Sequence, residues 1–422
     1  MRLNQVSTLF TAASLILICC LSNSMLTTAL GDGSRAEWPQ WRGPNRDGVS
    51  QETGLLSSWQ YDEPNVLWKI PFGHGYSGIS ISGGRLYTMF AQGNDEFVVC
   101  LNATNGEENW RFRTGSKFTN NHGDGPRSTP TVNGDVVFVL GAKGKLHALD
   151  ARTGEKLWGH DLVDEFGSKI PRWGFATSPL VEANLLVVEV GGKDGKSVVA
   201  FDIKSGDVIW TSAIDAPAYS SPIAITFNGI RQLIILTSNG PVSVSPTDGQ
   251  VYWKYHWSKG INIATPVFIP ESQIFVSAAY DKGAALVKMK ADGGAVTVDE
   301  VWKSRVMKNH FNASVLHRDY LYGFDNTILK CIEANTGEEQ WVARGFGKGS
   351  LIFADGNLIV LGDAGRLALV EATPSEYREK GDIQLLHGKC WTAPTLAGGK
   401  LFLRNHEELV CLDVTGANAA NE

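Results

Sequence analysis

The sequence predicts an all-β ring: an eight-bladed β-propeller of four-stranded blades, closed by an N-terminal strand that joins the last blade. Three observations carry this prediction. A strand–turn–strand unit ending in an aromatic residue recurs eight times, at intervals of 36 to 52 residues. A short run of small residues comes before each unit, again eight times. A self-similar period of about 40–50 residues, with several short strands in each copy, is the pattern of propeller blades.

The unit is clearest at residues 145–158. There K-L-H-A-L-D alternates apolar and polar side chains, the period of a half-buried strand. A-R-T-G-E follows as a turn, in which Gly154 is free to take positive φ. Lys156-Leu157-Trp158 then opens an outer strand. The same unit leads through Gly106 to Trp110, through Gly206 to Trp210, through Gly249 to Trp253, and through Gly337 to Trp341. A worn copy passes through Asp292-Gly293 to Trp302, and another ends at Tyr377. The last copy, Val410–Gly416, has no Trp of its own, and Trp68 in V-L-W-K supplies it from the other end of the chain. The structural aromatics of the repeat are thus Trp68, Trp110, Trp158, Trp210, Trp253, Trp302, Trp341 and Tyr377.

In chain order, residues 1–29 read as a signal peptide. Arg2 is the charged start, Leu9 to Leu21 is mostly apolar, and Thr27-Thr28-Ala29 offers a small-residue cleavage site. The apolar run is short for a membrane span. Cys19 and Cys20 are preceded by Ile18 and Cys19, not by the small residue of a lipidation site. Export to a periplasmic or extracellular space is expected, with no membrane span left after cleavage. Residues 30–65 form a Trp-rich capping segment, where W-P-Q-W-R-G-P-N-R-D-G (38–48) is too rich in Gly and Pro for a helix or strand. Trp38 and Trp41 are expected to plug an apolar surface of the ring. Residues 66–416 are the propeller, with no linker between blades, and residues 417–422 a disordered tail.

Each blade starts with small residues, expected to form the strand nearest the axis: Ser77–Ile79, Ser128–Pro130, Thr177–Pro179, Ser220–Pro222, Ala264–Pro266, Asn312–Ser314, Gly349–Leu351 and Thr392–Pro394. Eight strands converge there, and Pro is tolerated on a sheet edge. Of the four cysteines beyond the signal, Cys100, Cys331 and Cys411 align with Ala148 and Ala200 in the repeat. With Cys390, they are expected to be buried free thiols.

The chain has 422 residues, 46 Gly, 13 Trp and a formal charge of −6. Length alone would allow two or three domains, but the repeats join them into one. The acidic balance lacks the basic footprint of a nucleic-acid binder, and absent heptads exclude a helical architecture.

The A-x-x-T-G-E-x-x-W unit resembles the pyrroloquinoline-quinone-type (PQQ-like) repeat. That repeat is shared by quinoprotein alcohol dehydrogenases and by the propeller lipoprotein of the outer-membrane β-barrel assembly machinery. The opening at 38–48 is similar to the start of a group of exported bacterial proteins with this propeller. The resemblance covers residues 38–416. For a dehydrogenase it implies a calcium site of Glu, Asn and Asp, a catalytic Asp, and adjacent cysteines beside the quinone. No such calcium set can be placed here, the adjacent pair Cys19-Cys20 lies in the signal, and no haem motif is present.

Other chemical motifs are weak. Gly73–Gly78 matches G-x-G-x-x-G, but a strand follows where a dinucleotide site needs a helix. His122-Gly123-Asp124 is at most half of a metal site, and no metal is expected. What remains is the ring face where loops lead into the innermost strands. Those loops carry His74, Tyr76, His122, Asp124, Arg127, Arg172 and Trp173. Around the ring they continue with Tyr219, Asn262, Asn309, His310, Lys348, Lys389 and Trp391. All blades can contribute to a central funnel there. The expectation is a monomeric, non-catalytic binding or scaffold protein. Its funnel takes an anionic ligand or an acidic peptide segment of a cell-envelope partner, without a cofactor. The alternative is a pyrroloquinoline-quinone-dependent oxidoreductase.

Overall fold

Each blade in the computed structural model is a four-stranded antiparallel sheet, and there are eight of them. The structure describes residues 37–60, 63–257 and 259–416. The expected signal peptide (1–29), the first residues of the cap and the tail (417–422) lie outside them. Blades one to seven occupy residues 80–116, 131–161, 180–212, 223–254, 267–304, 315–343 and 350–384. Blade eight combines Thr395–Ala397, Lys400–Arg404 and Glu408–Asp413 with Asn65–Pro71 as its outermost strand. Asn65 pairs with Asp413 and Trp68 with Cys411, so the ring closes through its N-terminal strand as the repeat count requires. Closure leaves no linear array with an open end. Among the described residues the only helix is the single turn Leu162–Phe166, and none is long and apolar enough to cross a membrane.

Packing explains the repeat. In seven of the eight blades the outer Trp stands opposite a residue of the third strand, which is small in most copies: Cys100, Ala148, Ala200, Ser243, Cys331 and Cys411, with Leu286 the large exception. A β-bulge lies beside the Trp in each of these pairs and re-aims its ring toward the next blade. The ring covers the turn glycine of that neighbour. A Cβ on Gly154 would sit 2.5 Å from the Trp110 ring, and one on Gly206 2.8 Å from Trp158. These glycines have φ of 74° and 80°, so both the conformation and the close approach demand them. The indole N–H then donates to a carbonyl of the same turn: Trp68 to Ala103 (3.2 Å), Trp110 to Ala151 (3.2 Å), Trp341 to Thr373 (2.8 Å). All four cysteines among the described residues, Cys100, Cys331, Cys390 and Cys411, are free and buried.

Two seams depart from this pattern. Trp253 turns back to Gln232 Oε1 (2.9 Å) in its own blade. Tyr377 is not on an outer strand, as the sequence suggested. It precedes the strand Glu379–Gln384 and donates to Glu379. The N-terminal segment fills this gap. Leu56 N–H donates to Val414 O (2.8 Å), the carbonyl a Trp from blade seven would take, and buried Trp59 crosses the outer strand with its N–H on Lys380 O (2.8 Å).

The small-residue triplets also differ from expectation. They mostly precede the innermost strands, which start at Ser80, Thr131, Leu180, Ile223, Val267, Val315, Ser350 and Thr395. Their hydroxyls stitch neighbouring blades around the axis: Gly78 N donates to Thr129 Oγ1 (3.1 Å), Thr129 N to Ser178 Oγ (2.9 Å), and Ser178 N to Ser221 Oγ (2.9 Å). Small size and a hydroxyl are both required there.

Candidate functional site

The cap is a plug in the axis. Trp38 bridges to Ile81 in blade one, and Pro39 O accepts from Val132 N in blade two. Arg46 reaches the carbonyls of Ser178, Pro179 and Pro222 in blades three and four. Trp41 Nε1 donates to Thr265 Oγ1 (2.9 Å) in blade five, and Arg42 donates to Ala313 O (3.1 Å) and Ser314 O (2.7 Å) in blade six. Ser50 N meets Phe353 O in blade seven, and Glu52 accepts from Gly398 and Gly399 in blade eight. One short segment thus touches all eight blades. Arg42 and Arg46 have φ near 60°, an uncommon conformation held by these bonds. Burial pulls their guanidiniums down to about 10 and about 9, still protonated at neutral pH. The sequence pointed to the two Trp of this segment and missed its two Arg.

At the opposite end the incoming loops surround a cavity of about 320 Å³. Eight residues expected from the sequence line it: Tyr76, His122, Arg127, Trp173, Tyr219, His310, Lys348 and Trp391. Trp41 joins them from the plug as the floor, and Tyr280, Phe311, Ser221, Ile263 and Asn312 complete much of the wall. Tyr280 was missed because it sits between the second and third strands of its blade. Antiparallel order puts that turn at the same end as the incoming loops, so topology held the signal. Phe311 was missed between His310 and Asn312.

The rings form a belt. Tyr76 and Trp391 stack at 5.5 Å, and Phe311 (4.9 Å from Trp391), His310 and Tyr280 continue the arc. On the other side Trp173 lies 5.2 Å from Tyr219 and 6.0 Å from His122. Tyr76 joins the two arcs by donating to His122 O.

Cations occupy one part of the mouth. Lys389 Nζ donates to His122 O (2.9 Å) and lies 4.5 Å over the Trp391 ring. Lys348 Nζ is 3.4 Å from His310 Nε2. Burial holds His310 down at about 4, so its neutral ring accepts from the ammonium, while Nδ1 is buried without a partner. Arg127 is tied into its own loop through Gly123 O (2.6 Å) and Gly125 O, beneath the Phe118 ring, and burial lowers its pKa. Arg172 lies over Trp173 (5.3 Å), outside the lining. No Asp or Glu lines the cavity.

The remaining expected residues hold loops. Asn262 is buried and donates to Thr237 O (2.7 Å); Asn309 donates to Phe324 O (3.0 Å). Asp124 accepts from Asn120 N (2.9 Å). His74 packs on His406 at 5.3 Å. Carboxyls do similar work beneath the mouth. Glu96 accepts from Phe118 N and Ala142 N, Glu189 from Ala218 N (2.9 Å), and Asp363 from Lys348 N (2.9 Å). Burial pushes Glu189 up to about 8 and raises Glu96.

A pyrroloquinoline quinone with its calcium would need oxygen ligands from carboxylates, and the lining supplies none. Cys390, beside Trp391, has no cysteine next to it in sequence and is buried. The residues do not fit that centre, and no redox step is derived through it.

Comparison with known proteins places this geometry. The family model described as outer membrane protein assembly factor BamB matches residues 49–165 and 94–343. A tetrathionate hydrolase of Acidithiobacillus ferrooxidans is 25% identical over 214 residues, 48% of this chain and 42% of that protein. The outer membrane protein assembly factor BamB of Yersinia pestis is 29% identical over 185 residues, 42% of this chain and 43% of that protein. The chain thus spans less than half the length of both relatives. The solved quinohemoprotein alcohol dehydrogenase of Comamonas testosteroni superimposes with a TM-score of 0.66 at 11% identity, covering 92% of this chain and 82% of that one. That likeness is one of fold.

Proposed function

Because the chain belongs to the PQQ-like propeller family whose model is described as outer membrane protein assembly factor BamB, we propose that it is an exported, non-catalytic binding propeller of the cell envelope. Its funnel seats an anionic group of a partner protein or of a small ligand. The observation that carries this reading is the cavity itself. It is lined by aromatic rings and Lys348, with Lys389 beside it over the Trp391 ring, both cations on neutral acceptors and no carboxylate on the wall. A cation in a low-dielectric cleft without a counter-charge attracts one from outside. The relatives named for outer-membrane assembly support an envelope partner, and residues 1–29 support export. A ring closed by its own N-terminal strand supports a monomer.

The test is a pull-down of envelope proteins on the purified mature protein, beside a Lys348→Gln, Lys389→Gln double variant. The native protein retains a defined outer-membrane assembly partner, and the double variant loses it at an unchanged melting temperature. Equal retention by both would overturn the funnel reading. N-terminal sequencing of the exported protein checks the signal. Gain of quinone absorbance and dye-linked alcohol oxidation after incubation with the quinone and calcium would return the alternative.

A further inference from the structure

The plug makes the funnel blind. Trp41 is its floor, and Arg42 and Arg46 fill the axis behind it. A guest enters and leaves by one mouth. It is therefore a free small molecule or the end of a chain, and cannot be a strand threaded through the ring. At about 320 Å³ the cavity lies at the small end of ligand pockets, which run from about 300 to 1,000 Å³. One terminal unit fills it.

The wall is divided chemically. Blades seven and two contribute Lys348 and Arg127, and Lys389 of blade eight stands beside the wall, over the Trp391 ring. The incoming loops of blades four to six contribute Tyr219, Ile263 and Phe311, with no charge among the lining residues there. Polar groups are interleaved with the rings: the Ser221 hydroxyl, which accepts from Ser178 N, the Asn312 amide, which donates to Gly349 O, and the buried, unpartnered Nδ1 of His310. A hydrocarbon acid would leave the buried Nδ1 of His310 unpaired, which disfavours it. A neutral sugar would leave the cations without a counter-charge. An acidic side chain brings the carboxylate but no flat face for the belt. A pyranose carrying a carboxylate meets all three demands. Its C–H faces lie on aromatic rings, its hydroxyls pair with the interleaved polar groups, and its acid points to the cationic side.

We infer that the funnel binds a uronic-acid unit, either free or at the end of a saccharide. This rests on the reading of the funnel as the binding site. The experiment follows tryptophan fluorescence and melting temperature of the mature protein with glucuronate, galacturonate and their oligomers, against glucose and benzoate. Uronates bind, while glucose and benzoate bind about tenfold more weakly or worse. Lys389→Gln brings the uronate down to the level of glucose, and Trp391→Ala weakens both. Trp391→Phe, which keeps a ring, restores most of the uronate binding. Oligomers of two and six units bind within about threefold of each other, because only the end enters. A free acid that binds as well as the oligomers makes the source a small molecule; preference for a dimer makes it a saccharide terminus. Binding of glucose or benzoate equal to the uronates, affinity that keeps climbing with chain length, or no uronate binding would overturn the inference. If uronates fail while the double lysine variant still loses its envelope partner, the function proposed above stands and only the saccharide is wrong. If uronates bind the Lys389 and Trp391 variants undiminished, the funnel is not the site and both readings fall.

Discussion

The two ends of the axis use the same residue types to opposite effect. At the closed end, Trp41 donates to the Thr265 hydroxyl, and Arg42 and Arg46 are packed against backbone carbonyls of blades three, four and six. At the open end, Trp391, Lys348 and Lys389 stand around a cavity, each cation on a neutral acceptor or ring. A buried cation that finds several carbonyls is a structural bolt, since removing it strands every acceptor at once. A cation at a cavity that rests on neutral acceptors alone keeps its charge for a guest. Arg127 sits between the two cases: it faces the cavity, yet it is bolted to Gly123 and Gly125.

The largest effect is expected at the closed end. Arg46→Ala leaves the carbonyls of Ser178, Pro179 and Pro222 without their donor and opens a cavity on the axis. Each stranded acceptor costs about 1–3 kcal/mol, so the loss is about 5 kcal/mol. Denaturant unfolding of the purified variant measures it. A loss below about 1 kcal/mol would show that the plug is an ornament on a ring stable without it.

Trp68→Ala comes next, at about 3–5 kcal/mol for a buried Trp that closes the ring. Its ring covers Gly106 and its N–H holds Ala103 O (3.2 Å). Tyr377→Ala should cost clearly less, because Leu56 and Trp59 have taken over that seam. Equal losses would mean that the N-terminal segment does not substitute for the missing Trp. Thermal and denaturant melts of the two variants side by side decide it.

These seams show what the sequence could reveal. The ring, its eight blades and its closure were legible because the Trp–Gly contact acts locally, between a strand and the turn one repeat later. The contact leaves a periodic mark. The plug left none, since Arg42 and Arg46 meet carbonyls more than 130 residues away and any Arg can meet a carbonyl. Position alone gave eight of the lining residues, because every incoming loop opens on one face. It could not separate Arg127, tied to its own loop, from Lys389, nor see Asn262 turned inward onto Thr237. Tyr377 failed for a related reason: a matching interval does not say that a residue lies on a strand.

The open end carries a pH dependence of its own. Glu189 accepts from Ala218 N and so fixes the loop that carries Tyr219, with its second oxygen unpartnered. Burial raises it from 4.5 to about 8, so the folded protein holds this proton more tightly than the unfolded chain. Its contribution is therefore full below pH 4.5 and is lost as pH rises toward 8, at up to about 1.4 kcal/mol per pH unit. Glu189→Gln keeps an acceptor for Ala218 and removes the proton, so its stability should be flatter over that window. Melts between pH 5 and pH 8 compare the two. Identical slopes would assign the native dependence to other groups.

The smallest effect on stability is expected from Lys348→Gln with Lys389→Gln, and there the contrast between the ends is most exposed. Lys389 gives up its hydrogen bonds to His122 O (2.9 Å) and the Tyr76 hydroxyl (3.4 Å) and a cation–π contact with Trp391. Gln can still donate to that carbonyl, and a cation–π contact at an open site is worth about 0.5–1 kcal/mol. Lys348 gives up only a 3.4 Å contact with a neutral imidazole, while its backbone N–H stays on Asp363. The sum is about 1 kcal/mol at most, set against about 5 kcal/mol for the single Arg46 change. Binding should move the other way: the double variant loses its anionic guest, whereas any Arg46 variant that stays folded keeps the guest. A double variant that melts as low as Arg46→Ala would make the open-end lysines bolts as well, and the funnel would then have no charge to spare for a ligand.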